Sequence, residues 1–191
     1  MAGALDPAVA YDAVLVTVLA HQLDAALPAL KASSAKTIIF LLNTFEPLDR
    51  LRDAVGAGRA VFGFPVFIAD YDKGLLKSNV DAPGQGVTID DAGWAEIFRH
   101  ANIPSTVERD MESWLRVHAA AVAPVMVAGR VAHGRGGGLT WAEATLYAKA
   151  LGEGFAVCRA LGHRIIPAHV AAIAHLPTAA HAGILWRISR S

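Results

Sequence analysis

Four histidines, His163, His169, His175 and His181, recur every six residues near the end of the chain, and imidazole is the commonest metal ligand in proteins. Ligands carried by one helix stand three or four residues apart so that they share a face. A six-residue step turns the helix by about 600°, and Pro167 and Pro177 interrupt the stretch, so no metal site is expected. The single cysteine, Cys158, lies in the helical pattern GFAVCRALG and reads as a buried structural thiol rather than a nucleophile. Two other places are better suited to chemistry. The segment TVLAHQ, Thr17 to Gln22, joins an apolar run to an amphipathic one, and Asn43 closes a second apolar run. Open α/β sheets bind ligands beyond the carboxyl ends of their strands, which is where Thr17, Gln22 and Asn43 fall. A side-chain amide there can hold a ligand oxygen. Asn43 also precedes the helix-like NTFEPLDRL, so a capping or turn role stands beside the ligand role.

The elements that must position these residues follow from hydrophobic spacing. AVLVTVL (Ala13 to Leu19), TIIFLL (Thr37 to Leu42) and AVFGFPVFI (Ala60 to Ile68) read as buried strands. QLDAALPALKAS and EPLDRLRDAVG between them have helical spacing, the second closed by Gly56. Strand alternating with helix predicts a parallel sheet with right-handed crossovers. From Pro65 to Asp90 short pieces separated by Gly, Asn and Pro predict antiparallel strands or hairpins that finish the sheet, followed by a short helix, DAGWAEIFRHA.

Beyond NIPST the pattern is helical. Ser105 and Glu108 have the spacing of a capping box, which predicts a long helix over residues 106–132 with a kink at Pro124. GRGGG breaks the chain at Gly134 to Gly138, and Thr140 with Glu143 caps a helix that runs to Gly162. RIIPAHV then leads into one shorter helix ending near LPTAAH. The expected architecture is a partial α/β domain over residues 1–103 and an all-helical domain over residues 104–191.

Composition narrows the function. A chain of 191 residues that is 54% hydrophobic and 18% charged affords a packed core and is not disordered. Seventeen basic residues offset seventeen acidic ones, and no basic stripe with interleaved aromatics is present, so neither nucleic acid nor an anionic membrane is an expected partner. The N-terminus has no basic region and is broken by Asp6, Pro7 and Asp12, unlike a signal peptide. The longest uninterrupted apolar run, AAAVAPVMVAG, is well short of the roughly 20 residues that cross a bilayer. One cysteine suits a reducing compartment, so a soluble cytoplasmic protein is expected.

Four stretches together resemble the ketopantoate reductase (2-dehydropantoate 2-reductase) family. YDAVLVTVLAHQLDAALPAL resembles its strand and K-A-x-Q turn, and TIIFLLNTFEPLDRL its L-Q-N-G segment with the helix after it. ESWLRVHAAAVAPV is similar to the W-x-K helix that opens the helical domain, and EGFAVCRALGHRIIP to a later E-x-x-x-x-x-A-L-G stretch. The resemblance implies a partial Rossmann-like α/β domain and a helical domain, with NADPH and a small 2-oxo acid between them, and a role in pantothenate biosynthesis.

Departures from the family pattern qualify this. No strand followed by G-x-G-x-x-G precedes Tyr11, and GRGGG lies between helices, so the first mononucleotide unit is missing and the chain reads as truncated at both ends. The lysine of K-A-x-Q falls on Leu19, the catalytic lysine of W-x-K on Arg116, and a family asparagine on Ala120. A 2-oxo acid reductase needs a proton donor and a cation for the carboxylate. Arginine can clamp a carboxylate but is a poor acid.

The candidate catalytic residues are Asn43 and Arg116, by resemblance, and His118, from the near-neutral pKa of imidazole; the candidate NADP(H)-binding residues are Thr17, Gln22 and Asn43. His118 could replace the missing acid or be an ordinary core or interface histidine, and it stands two residues from Arg116, on another helix face. Arg116 could equally form an exposed ion pair with Glu112. Two functions remain open: an NADPH-dependent 2-oxo acid reductase, or an inactive family remnant that binds a ligand or partner. Loss of the first unit would bare sheet edge, so a homo-oligomer is expected.

Overall fold

The computed structural model describes residues 5–67, 69–78 and 86–190. Its chain divides into two compact units, residues 1–111 and 112–191. In the first unit, strands β1 (Ala13–Val16), β2 (Thr37–Leu41) and β3 (Ala60–Val66) alternate with helices α1 (Leu23–Ala32) and α2 (Leu48–Val55). A hairpin follows, β4 (Ala69–Asp72) and β5 (Leu75–Ser78), then β6 (Gly86–Ile89), α3 (Ala92–His100) and β7 (Ser105–Val107). The five-stranded sheet has the order β1-β2-β3-β6-β7, and β4-β5 form a separate pair. Within the five-stranded sheet all neighbours are parallel except β3 and β6, and β4 and β5 pair antiparallel. The expected α/β sheet with a late antiparallel element is therefore present.

The period of two in each strand divides its side chains between the two faces of the sheet. Ile39, Leu41, Val61, Val87 and Ile89 form one buried cluster with Ala95, against which Trp94 and Phe98 of α3 pack. The alternate residues include Phe40 and Phe62, whose rings stack 5.3 Å apart, and the Arg52 guanidinium of α2 lies 4.7 Å over Phe62. Leu48, Leu51 and Val55 recur at helical spacing and are the buried stripe of α2. Arg59 donates to the carbonyls of Val55, Ser33 and Ala35, which satisfies chain ends that α1 and α2 leave open.

Several boundaries differ from the sequence reading. β1 stops at Val16, three residues before Leu19, because a 3₁₀ turn begins at Ala20. The β4-β5 hairpin turns at Lys73 and Gly74, both with positive φ (48° and 85°), as a two-residue loop requires. Ile68, the last residue of the expected third strand, and residues 79–85 within the expected hairpin region lie outside the described residues.

The expected capping box at Ser105 and Glu108 does not form. Ser105 belongs to β7, its hydroxyl donates to the Ile103 carbonyl, and Thr106 pairs with Thr88 across the sheet. The Glu108 carboxylate accepts the Asp110 N–H instead. Pro104 disfavours helix for the residue before it, while the open edge of β6 offers ladder bonds to residues 105–107.

The second unit holds α4 (Met111–Arg135, whose first residue closes the first unit), α5 (Trp141–Ala160), α6 (Ala168–Ala174) and α7 (Thr178–Ile188). Helix α4 continues through Pro124 and through Gly134, so the break falls at residues 136–140. Its 25 residues are long and apolar enough, by length and composition, to cross a membrane, a property the uninterrupted apolar run did not show. Small residues let α4 and α5 approach: Ala128 and Ala132 cluster with Ala144 and Ala148, and a Cβ on Gly154 would stand 3.1 Å from that of Ala120. Two helices replace the single one expected after Pro167. Pro177 starts α7 rather than ending the fold, and His181 of α7 donates through Nε2 to the Ile173 carbonyl at the end of α6.

The capping box of α5 is present as expected. Glu143 accepts the N–H and hydroxyl of Thr140, both at 2.8 Å, while the Thr140 hydroxyl accepts the Glu143 N–H. Arg135 adds a two-pronged ion pair, and with the cap it pulls the Glu143 carboxyl from 4.5 down to about 2. The ionised form is favoured by folding, so its contribution is complete above about pH 4.5 and is lost as pH falls through about 2. Carbon-detected NMR should find Glu143 titrating near 2 in the wild type and closer to its ordinary value in Arg135→Gln. An ordinary value in the wild type would refute the paired geometry.

Candidate functional site

In the first unit the candidate residues stand at the carboxyl ends of two adjacent parallel strands. Val16 of β1 pairs with Phe40 of β2, so the segments after them leave the sheet side by side. Thr17 is the first residue past β1 and is exposed. Leu19, where the family pattern has a lysine, is 63% exposed. The 3₁₀ turn Ala20–Gln22 then carries the chain into α1. Gln22 closes this turn on itself, because its Oε1 accepts the Leu19 N–H at 2.9 Å while its own N–H donates to the Leu19 carbonyl. The amide nitrogen of the Gln22 side chain is the half left to face a ligand.

Asn43 lies two residues beyond β2 and is exposed. It is not a helix cap: α2 begins at Leu48, Pro47 occupies the capping position, and no side chain caps it. The local turn is made by Thr44, which is buried and whose hydroxyl accepts the Glu46 N–H at 3.1 Å. That anchoring leaves the neighbouring Asn43 outside the sheet core. Sequence reasoning passed over Phe45, which is 74% exposed in the same loop. An aromatic residue just past a strand end was the available signal. Arg50 is bound by Asp24 and Glu46, so the cation closest in sequence to this edge is already engaged by carboxylates.

In the second unit Arg116 is a buried residue of α4, 8% exposed. It pairs with Glu112 one helical turn earlier, Nη2 to Oε1 at 3.0 Å. The ion pair expected from the sequence is thus present, but its cation is buried while Glu112 stays partly exposed, so removing Glu112 would leave a desolvated guanidinium without this partner. His118 is half-buried and stacks flat on Trp114, with ring centroids 4.8 Å apart and planes 9° from parallel. Burial lowers its pKa below 6.5. The imidazole is consequently neutral at physiological pH, which weakens it as a proton donor. Cys158 is buried too, and burial pushes its thiol up, away from the reactive thiolate. Among the described residues no group of three His, Cys, Asp or Glu side chains could hold a metal.

The His118 shift has a testable sign. Unfolding frees an imidazole that binds protons more readily, so stability falls as pH drops below about 6.5 and is insensitive to this group above it. Proton NMR of the His118 ring should give a midpoint below 6.5. A midpoint above it would require an acidic partner that the Trp114 stack does not supply.

A sequence profile described as ketopantoate reductase PanE/ApbA matches residues 4–89, the stretch that holds β1, β2 and the candidate residues Thr17, Gln22 and Asn43. The fold is similar to a PanE/ApbA family ketopantoate reductase from Ralstonia eutropha JMP134, with 23% identity and a TM-score of 0.58 over 85% of this chain and 56% of that one. It is similar to a 2-dehydropantoate 2-reductase from Geobacter metallireducens GS-15, with 15% identity and a TM-score of 0.66 over 98% of this chain and 68% of the other. D-mandelate dehydrogenase solved with NADH and anilino(oxo)acetate is a further match, with 14% identity, a TM-score of 0.61 and coverage of 88% and 58%. The chain therefore spans a little over half to two thirds of the length of these proteins. No curated protein matches it.

Proposed function

We propose that this chain, a relative of the ketopantoate reductases through residues 4–89, serves a nicotinamide-dependent reduction of a small 2-oxo acid to the 2-hydroxy acid, with NADPH as the donor. The observation that carries this reading is Asn43. Its side-chain amide is exposed at the carboxyl edge of a parallel sheet, in the loop after β2, and has no hydrogen-bond partner among the described residues. An amide there offers one donor and one acceptor face to a carboxamide or a substrate carbonyl. The Thr17 hydroxyl and the Gln22 amide nitrogen add polar groups on the adjacent loop.

The fit to a dinucleotide is partial. A pyrophosphate needs free backbone N–H groups at a glycine-rich turn or helix N-terminus. Before α1 the Leu19 N–H is taken by Gln22, and no glycine stands between Thr17 and Gln22. The described residues suit the nicotinamide end and offer no cradle for the phosphates. When bound, the cofactor supplies the hydride; this chain's residues orient and hold. Arg116 is suited to a substrate carboxylate by its planar fork, and a neutral His118 offers an N–H at the cost of weak acidity.

A second reading, a ligand-binding relative without turnover, is favoured by Arg116 standing where the resemblance puts a catalytic lysine. One experiment separates them: titrate the chain with NADPH and NADH, following tryptophan emission and heat, then add 2-oxo acids and follow nicotinamide absorbance. The reductase reading expects saturable NADPH binding in the micromolar range, roughly 8 kcal/mol, weakened about tenfold by Asn43→Ala, and turnover. Binding without turnover supports the second reading. A folded chain that does not bind at millimolar NADPH sinks the first.

A further inference from the structure

We propose that Arg50 is a positioning residue that braces the loop bearing Asn43 against the start of α1, where Gln22 stands. β1 and β2 run in register as far as the pair Val16 and Phe40. Beyond it the two segments leave the sheet separately, one through the turn Ala20–Gln22 into α1, the other through residues 42–47 into α2. Arg50, in the first turn of α2, ties them together again. Its Nη2 donates to Oδ1 of Asp24, in the first turn of α1, and its Nη1 donates to Oε2 of Glu46, three residues past Asn43. Glu46 is also held from within the loop, because its N–H donates to the hydroxyl of the buried Thr44. The stretch from Asn43 to Glu46 is thereby fixed at Thr44 by burial and at Glu46 by a cation that also grips α1.

Helix α2 by itself gives no reason for a cation at this place. Arg50 is the third residue of α2, at the positive end of the helix dipole, where a guanidinium is disfavoured. Glu46 lies outside α2, since Pro47 occupies the capping position, so the pair does not staple one helical turn to the next as i,i+4 pairs usually do. An exposed ion pair is ordinarily worth little, but a guanidinium fork shared by two carboxylates from different elements fixes direction as well as distance. What it fixes here is the spacing of two side-chain amides: Gln22 stands two residues before Asp24, and Asn43 three residues before Glu46. A ligand that bridges both amides meets them already placed, and such preorganisation is expressed as affinity. The role in binding rests on the nicotinamide reading of this edge, whereas the brace itself rests on the contacts of Arg50 with Asp24 and Glu46.

Hydrogen exchange of the Glu46 N–H, read by NMR, reports the brace without a ligand. Asp24→Asn, a change on α1, should speed that exchange about threefold, as loss of one exposed pair allows, and Arg50→Met should speed it about fivefold. In the Arg50→Met background Asp24→Asn should add nothing, because its influence travels through the guanidinium. NADPH titration reads the effect on binding. Kd should rise about fivefold in Arg50→Met and about twofold in Arg50→Lys, whose single nitrogen holds one carboxylate at a time. Asp24→Asn separates the brace from bulk charge: removing a carboxylate would by itself tighten an anionic dinucleotide, whereas losing the brace should weaken it about threefold. Glu46 exchange indifferent to Asp24→Asn overturns the proposal. So does NADPH bound as tightly by Arg50→Met as by the wild type, or more tightly by Asp24→Asn. Exchange that answers to Asp24→Asn in a chain that binds no NADPH upholds the brace and removes the nicotinamide reading alone.

Discussion

Gly63→Ala is expected to destabilise the first unit by about 3 kcal/mol, the upper end of what overpacking usually costs. Gly63 sits in the middle of β3, paired to Leu41 on one side and Ile89 on the other. A Cβ built there would lie 2.7 Å from the Thr88 carbonyl oxygen, 3.1 Å from Leu41 Cδ2 and 3.2 Å from Ile89 Cγ1. The first contact is with backbone of the neighbouring strand, which can yield only by breaking the β3-β6 ladder. The other two are buried core atoms in a close-packed cluster. Gly58→Ala supplies the control, since its Cβ meets nothing within 4 Å and should change stability by no more than about 0.5 kcal/mol. Urea unfolding followed by far-ultraviolet circular dichroism checks both. A Gly63→Ala protein as stable as Gly58→Ala would show that β3 and β6 are not packed as described.

The effect would reach the candidate site through β2. Leu41 is the last residue of that strand, and Asn43 lies two residues later in the loop that follows. Displacing Leu41 moves the platform on which Asn43 stands. Cofactor binding by Gly63→Ala should therefore weaken along with stability, whereas Gly58→Ala should bind as the wild type does.

What the sequence disclosed and what it concealed divide along physical lines. Strands β1, β2 and β3 and helices α1, α2 and α5 were legible because burial imposes a period on them: Ile38 to Leu41 are buried in succession, and Leu48, Leu51 and Val55 repeat at helical spacing. The Thr140–Glu143 box was legible because both partners are local. The same local rule misread Ser105 and Glu108, where ladder bonds to β6, eighteen residues back along the chain, outweighed a cap. Helix α7 was hidden by Pro177, a residue that ends one helix and begins another with equal ease. At the site, residue type and strand ends placed Thr17, Gln22 and Asn43 on one edge. The sequence could not disclose that Gln22 spends its oxygen on Leu19, that Asn43 is no cap, or that Arg116 is buried, since each depends on its surroundings in the fold.

Arg116→Lys should raise the rate of 2-oxo acid-dependent NADPH oxidation by about a hundredfold, the low end of what a positioned general acid contributes. Arginine holds its proton too tightly to give it up near neutrality, whereas lysine releases one readily once desolvated. Position 116 is 8% exposed, so an ammonium there would be pushed toward neutral pH by burial and held back in part by Glu112, whose carboxylate lies one turn away. Those opposing influences leave an amine able to release a proton nearer neutrality than arginine can. Arg116→Met tests the same site from the other side: it removes the carboxylate clamp while leaving the partly exposed Glu112 solvated, so KM should rise with little loss of stability. Cofactor titration of each variant keeps the outcomes distinct. If Arg116→Lys binds NADPH as the wild type does yet oxidises it no faster, position 116 does not face the substrate, and the reductase reading loses its carboxylate clamp.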